Sequence, residues 1–180
     1  MSASMKSKNL KMNLFIDTDT VDFNDINKNF NVLDALPFCV KSGITTATYQ
    51  QYISKNGNEN TAYGNPIDVK WNYKIYNDKT FEMYAKIELT TLSCTATIGS
   101  LFKSGYLRVY LPNKYSDGTM FNIAEVSDLN INMSSDSYDW IVLTNGPSIV
   151  NNFTFRIVGP KKETYSVYRQ IFVNVKGVIS

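Results

Sequence analysis

Val69-Lys70-Trp71-Asn72-Tyr73-Lys74-Ile75-Tyr76-Asn77-Asp78-Lys79-Thr80-Phe81-Glu82-Met83-Tyr84-Ala85-Lys86-Ile87-Glu88-Leu89 is the stretch that decides the fold. Val69, Trp71, Tyr73 and Ile75 fall at every second position, with Lys70, Asn72 and Lys74 between them. Successive side chains of a strand point to opposite faces, so this spacing predicts a half-buried strand from Val69 to Tyr76. Asn77-Asp78-Lys79 reads as a tight turn. A second strand is predicted from Thr80 to Thr90. Phe81, Met83, Ala85, Ile87 and Leu89 lie on its apolar side, and Thr80, Glu82, Lys86 and Glu88 lie opposite. Together they form a hairpin with one core face and one solvent face.

The same alternation continues outward from this hairpin. Further strands are predicted at Leu92–Ile98, Tyr106–Leu111, Phe121–Val126, Leu129–Met133, Tyr138–Leu143, Asn152–Val158 and Val167–Val178. Turn signals separate them at Ser104-Gly105, Asp117-Gly118, Asn145-Gly146-Pro147 and Gly159-Pro160. Residues 40–66 read as a loop or a weak strand pair. Short strands at intervals of about 10–15 residues predict an all-β sandwich, jelly roll or barrel, of which a single jelly-roll-like β-sandwich is the expected fold. Composition agrees: 20 Asn, 16 Ser and 15 Thr favour turns and strands, as do 12 Tyr and 10 Phe.

The N-terminal part differs. Residues 1–12 read as a polar leader without the apolar core of a signal peptide, so synthesis in a cytoplasm is expected. Phe23, Ile26, Phe30 and Leu33 then recur at helical spacing, with Asp22 suited to the N-cap. Pro37 closes the helix by Leu36. A lone helix of about 14 residues is marginal in water, so this seam is expected to pack on itself or on the body of the protein. The expected division is 1–39, leader and attachment helix, and 40–180, the β domain.

Several chemistries are excluded by what the chain contains. It has no histidine, which removes imidazole bases, Ser-His-Asp and Cys-His nucleophiles and His-ligated metals. Eighteen basic and sixteen acidic residues leave a net charge of +2, too small for nucleic-acid binding by charge. The two cysteines, Cys39 and Cys94, cannot build a four-ligand zinc site; both are expected to be buried and unbridged. Asp17, Asp19, Asp22 and Asp25 tempt a calcium reading, but Val21, Asp22 and Lys28 break the EF-hand pattern, and no metal or cofactor is expected. No apolar run approaches the roughly 18 residues of a membrane span.

The hairpin quoted first resembles the one that opens the C-terminal domain of tail-fibre and receptor-binding (baseplate) proteins from phages of Gram-positive and gut bacteria. Trp71, Tyr73, Tyr76, Asn77-Asp78, Glu82 and Tyr84 fit its pattern. Lys79 replaces the turn glycine and Ala85 a strand glycine. Tyr110-Leu111-Pro112 and the closing Val173-Asn174-Val175-Lys176-Gly177 are also similar to that family. Asp25-Ile26-Asn27-Lys28-Asn29-Phe30-Asn31-Val32-Leu33-Asp34 resembles the short helix near the attachment end of many phage baseplate, fibre and collar proteins. The resemblance implies a homotrimeric virion component made in the bacterial host cytoplasm. Its implied partners are other tail or baseplate proteins, through the N-terminal segment, and a bacterial cell-surface polysaccharide. The alternatives are a purely structural tail, collar or head-fibre protein, and a carbohydrate-binding module.

No catalytic constellation emerges. Glu82 and Glu88 share a strand face about 20 Å apart at about 3.3 Å per residue, beyond the roughly 5–9.5 Å of glycosidase carboxylate pairs. Asp136-Ser137-Tyr138-Asp139-Trp140 groups two aromatic rings with carboxylates, and Tyr115 stands beside a loop. Aromatic faces stack on sugar rings and carboxylates bond hydroxyls, so Tyr138, Trp140, Asp136, Asp139 and Tyr115 are the expected glycan-binding residues. Interface packing is the competing role for the same Tyr and Trp side chains.

Overall fold

A computed structural model describes residues 5–6, 13–14, 28, 31, 36–51, 64–89, 92–134, 139–144, 151–165 and 169–180. The chain forms two compact units, Met1–Phe38 and Cys39–Ser180. In the first, β1 (Met5–Lys6), within the expected polar leader, pairs antiparallel with β2 (Asn13–Leu14), which follows the leader. The seam residues Phe23, Ile26, Phe30 and Leu33, and the acidic run at 17–25, lie outside the described residues.

The second unit is all-β. Its strands are β3 (Cys39–Gln51), β4 (Ile67–Tyr76), β5 (Thr80–Leu89), β6 (Leu92–Ile98), β7 (Leu101–Ser104), β8 (Leu107–Tyr110), β9 (Ile123–Ser134), β10 (Trp140–Leu143), β11 (Asn152–Gly159), β12 (Glu163–Tyr165) and β13 (Arg169–Ile179). All pair antiparallel in one 11-stranded sheet. Ten strands follow the order β12-β6-β7-β11-β8-β3-β4-β5-β13-β9, and β10 pairs with β11.

The hairpin β4–β5 forms in the expected register, with Trp71 opposite Ala85, Tyr73 opposite Met83 and Ile75 opposite Phe81. Every residue assigned to its apolar face is buried. β13 lies along the other edge of β5, with Val173 opposite Ala85. Phe153, Phe155 and Ile157 of β11 and Leu107 and Val109 of β8 join the same core cluster, so one sheet encloses one apolar interior. Removing this surface from water is the main source of stability.

The structure departs from the sequence reading in several places, among them the unexpected short strands β7 and β12. Of residues 40–66, expected as loop or weak strand pair, residues 40–51 belong to the single long strand β3. Its inward positions are Thr45, Ala47 and Tyr49, while Ile44 faces out, so apolar alternation is absent. The two strands expected at 121–133 are one, β9. Against β13, Asp128 pairs with Lys176 and Val126 with Gly177, which leaves Ser127 as a bulge; Ala124 is skipped in the same way. Each bulge lengthens the inward repeat from two residues to three, keeping Ile123, Val126 and Leu129 on the core side.

Ser104-Gly105, expected as a turn, is a kink between β7 and β8, which both run along the same edge of β11. There the Ser104 hydroxyl oxygen accepts the Ile157 amide at 3.0 Å, in place of a ladder carbonyl. Finally, Cys94 is buried as expected but Cys39 is exposed, because it begins β3 at the border of the unit; neither forms a disulfide.

Candidate functional site

Of the expected glycan-binding residues, those among the described residues are Asp139, Trp140 and Tyr115, and Tyr115 lies on a different part of the sheet from the other two. Asp136 and Tyr138 lie outside the described residues. Trp140 opens β10 opposite Val158 and is 53% exposed. Asp139 is half-buried, and its carboxylate lies where a Cβ on Gly159 would sit. Trp140, Val142 and Leu143 give β10 an exposed apolar surface.

Tyr115 belongs to a different part of the sheet. Its ring packs on Phe121, with centroids 4.7 Å apart, and on Tyr73 at 5.6 Å. Lys41 Nζ sits over the ring 3.7 Å from its centroid and pairs with Asp117 at 2.8 Å. Hydrogen bonds from Lys41 and Thr119 hold the Asp117 carboxyl well below the usual carboxylate range. Tyr73 Oη and Ser116 Oγ share a hydrogen bond at 2.9 Å, and Thr45 Oγ1 donates to the Lys114 carbonyl at 2.7 Å. Tyr115 therefore anchors the 111–121 loop to β3 and β4.

A broader arrangement lies on the outward face of β3, β4, β5, β13 and β9. Strand register aligns Ile44, Asn72, Tyr84, Asn174 and Asn130 in one row across all five strands. Each of these side chains is exposed. Tyr84 stacks on Phe172, with centroids 6.3 Å apart and ring planes 18° from parallel. Asn132 Nδ2 donates to Asn130 Oδ1 at 2.7 Å beside them. Ile44, Asn72, Tyr84 and Asn174 of this row line a shallow trough of about 570 Å³, and Asn130 lies beyond its edge.

Two of the charged groups along this trough, Glu82 and Lys176, satisfy one another. Lys176 pairs with Glu82 at 3.0 Å, and Tyr76 Oη donates to Glu82 at 3.1 Å. These bonds lower the Glu82 pKa, the Lys176 bond contributing most, and the same bond raises that of Lys176. Sequence reasoning placed Tyr84 opposite an apolar face but did not assemble the row. The signal was the Asn residues at outward positions of β4 and β13; cross-strand register, which joins them, is not readable from one strand at a time.

Among the described residues no group of His, Cys, Asp and Glu is arranged to hold a metal ion, and no helix is long and apolar enough to cross a membrane. No known family model, curated protein or solved structure matches the chain.

Proposed function

We propose that this chain is a non-enzymatic virion protein that attaches a phage, or phage-tail-like particle, to a bacterial surface glycan. The observation that carries the reading is the outward face of an all-β scaffold: one row of amides and an aromatic ring, flanked by the Glu82–Lys176 ion pair. Such a surface suits hydroxyl-rich ligands more than nucleic acid or a charged polymer. The resemblance of 71–86 to phage tail-fibre and receptor-binding proteins, and of 25–34 to phage baseplate, fibre and collar proteins, supports it. So does Lys79, whose φ of 67° is the backbone conformation that a turn glycine adopts without steric cost.

In this reading the sheet is a jelly-roll-like sandwich, and three copies associate through the Phe23, Ile26, Phe30 and Leu33 helix. Light scattering on purified protein should give about three times 20.4 kDa, and a monomer at micromolar concentration would remove the trimer. The exposed apolar strand β10 favours a second reading, a purely structural tail, collar or head-fibre protein in which this strand packs against a neighbour. Immunogold labelling of intact particles separates the two. Gold at the tail tip supports attachment, gold on a shaft or capsid supports the structural reading, and unlabelled particles contradict both.

A further inference from the structure

The row Ile44–Asn72–Tyr84–Asn174–Asn130 crosses five strands, so at about 4.8 Å between strands it extends about 19 Å. That length spans several sugar units. We infer that this trough, centred on Tyr84, is the glycan-binding surface and that its ligand is a neutral oligosaccharide. The inference rests on the attachment reading above and assigns it a site other than Trp140 or Tyr115.

Three observations point to this ligand class. First, the Tyr84 ring is held against Phe172 while remaining 37% exposed. It is a platform oriented before any ligand arrives, which lowers the entropic cost of binding. Second, Asn72, Asn174 and Asn130 present amides, each with an acceptor oxygen and donor hydrogens, on both sides of the ring. Sugar hydroxyls also donate and accept, so the two sets match in kind.

Third, the one carboxylate at the trough and one of its two lysines are already committed to each other. Glu82 is bonded to Lys176 and Tyr76, and Lys74 stands opposite Glu82 in the register. An anionic ligand would compete with Glu82 for Lys176 and a cationic one with Lys176 for Glu82, whereas a neutral one leaves that pair intact. A polypeptide strand could not add here by ladder pairing. The backbone groups of β4, β5 and β13 are used on both edges, so the face offers side chains alone. The volume of about 570 Å³ falls within the range of small-ligand sites.

Binding of immobilised short fragments of neutral glucan, galactan, mannan and rhamnan, beside an acidic polyuronate, provides the test. Wild type, Tyr84→Ala, Asn72→Ala, Asn174→Ala and Trp140→Ala are compared, with thermal melts to check folding. All four substituted side chains are outward and exposed, so the melts should stay close to wild type. At least one neutral fragment should bind; Tyr84→Ala should weaken it about tenfold or more, since it removes the stacking face. Asn72→Ala and Asn174→Ala should each weaken it several-fold, and Trp140→Ala should leave it unchanged. Loss with Trp140→Ala but not with Tyr84→Ala overturns the trough, as does binding of the acidic polymer alone. If wild-type protein adsorbs to bacterial cells yet binds no neutral fragment, the inference falls and the attachment reading survives. If neither cells nor fragments are bound, both fall.

Discussion

The amide of Ile179 donates to the carbonyl oxygen of Lys79 at 3.0 Å, tying the C-terminal strand to the turn of the central hairpin. Lys79 makes this bond from a φ of 67°. Its own amide bonds the Tyr76 carbonyl at 3.0 Å, and Asp78 accepts from both the amide and the hydroxyl of Thr80. A three-residue turn ending in a left-handed residue matches the twist of the strands it joins.

Replacing Lys79 with glycine should stabilise the fold. A side chain in the left-handed region costs about 1–2 kcal/mol, and glycine's extra freedom in the unfolded chain returns part of that, so a net gain of about 0.5–1 kcal/mol is expected. Urea unfolding should show a higher midpoint for Lys79→Gly, and a lower one for Lys79→Val.

Gly177→Ala should do the opposite. A Cβ at Gly177 would run into the Glu125 carbonyl and the Phe81 ring, at the point where the Ser127 bulge brings β9 close to β13. Backbone cannot yield as a flexible side chain can. A loss of about 2–3 kcal/mol is expected, the range for overpacking a filled interior, read from the same unfolding curves.

Trp71 is fully buried, and its indole Nε1 has no hydrogen-bond partner among the described residues. Trp71→Ala should cost about 3–5 kcal/mol, the range for emptying a core aromatic site. Trp71→Phe breaks no hydrogen bond and leaves a smaller cavity, so about 1–2 kcal/mol is expected. Equal losses for the two variants would contradict this view of the core.

The loop that carries Tyr115 should loosen in acid. The folded pKa of Asp117 is depressed, chiefly by the hydrogen bond from Lys41. A depressed carboxyl contributes stability above its unfolded pKa of about 3.9 and loses it as pH falls through the folded value. The difference in melting temperature between wild type and Asp117→Asn should be constant from neutral pH to about pH 5 and shrink steadily below about pH 4. The pair is exposed, so salt should reduce the difference at neutral pH.

How much of this was legible depended on whether a strand's inward side chains were apolar at a spacing of two. β4 and β5 meet that condition from Val69 to Leu89 and their burial there was readable, while β4 begins at Ile67, two residues before its expected start, because Ile67 is exposed. β3 does not, because Thr45 and Ala47 take its inward positions while Val40 and Ile44 point out. Ser127-Asp128 in β9 has turn chemistry but serves as a bulge, a distinction made by β13 on the neighbouring edge rather than by local sequence. The site shows the same limit. Exposed aromatic residues could be named from alternation, but the row through Tyr84 exists only once strands from residues 44 to 174 lie side by side in register.

Adsorption of the purified protein, displayed in many copies, to bacterial cell envelopes tests the attachment role most directly. With a net charge of +2 and a surface of amides and stacked rings, binding should change little between low and physiological salt. Adsorption that persists across that range, and that Tyr84→Ala abolishes, is the expected result. Failure to adsorb to any envelope, or adsorption that disappears as salt is raised, would contradict it.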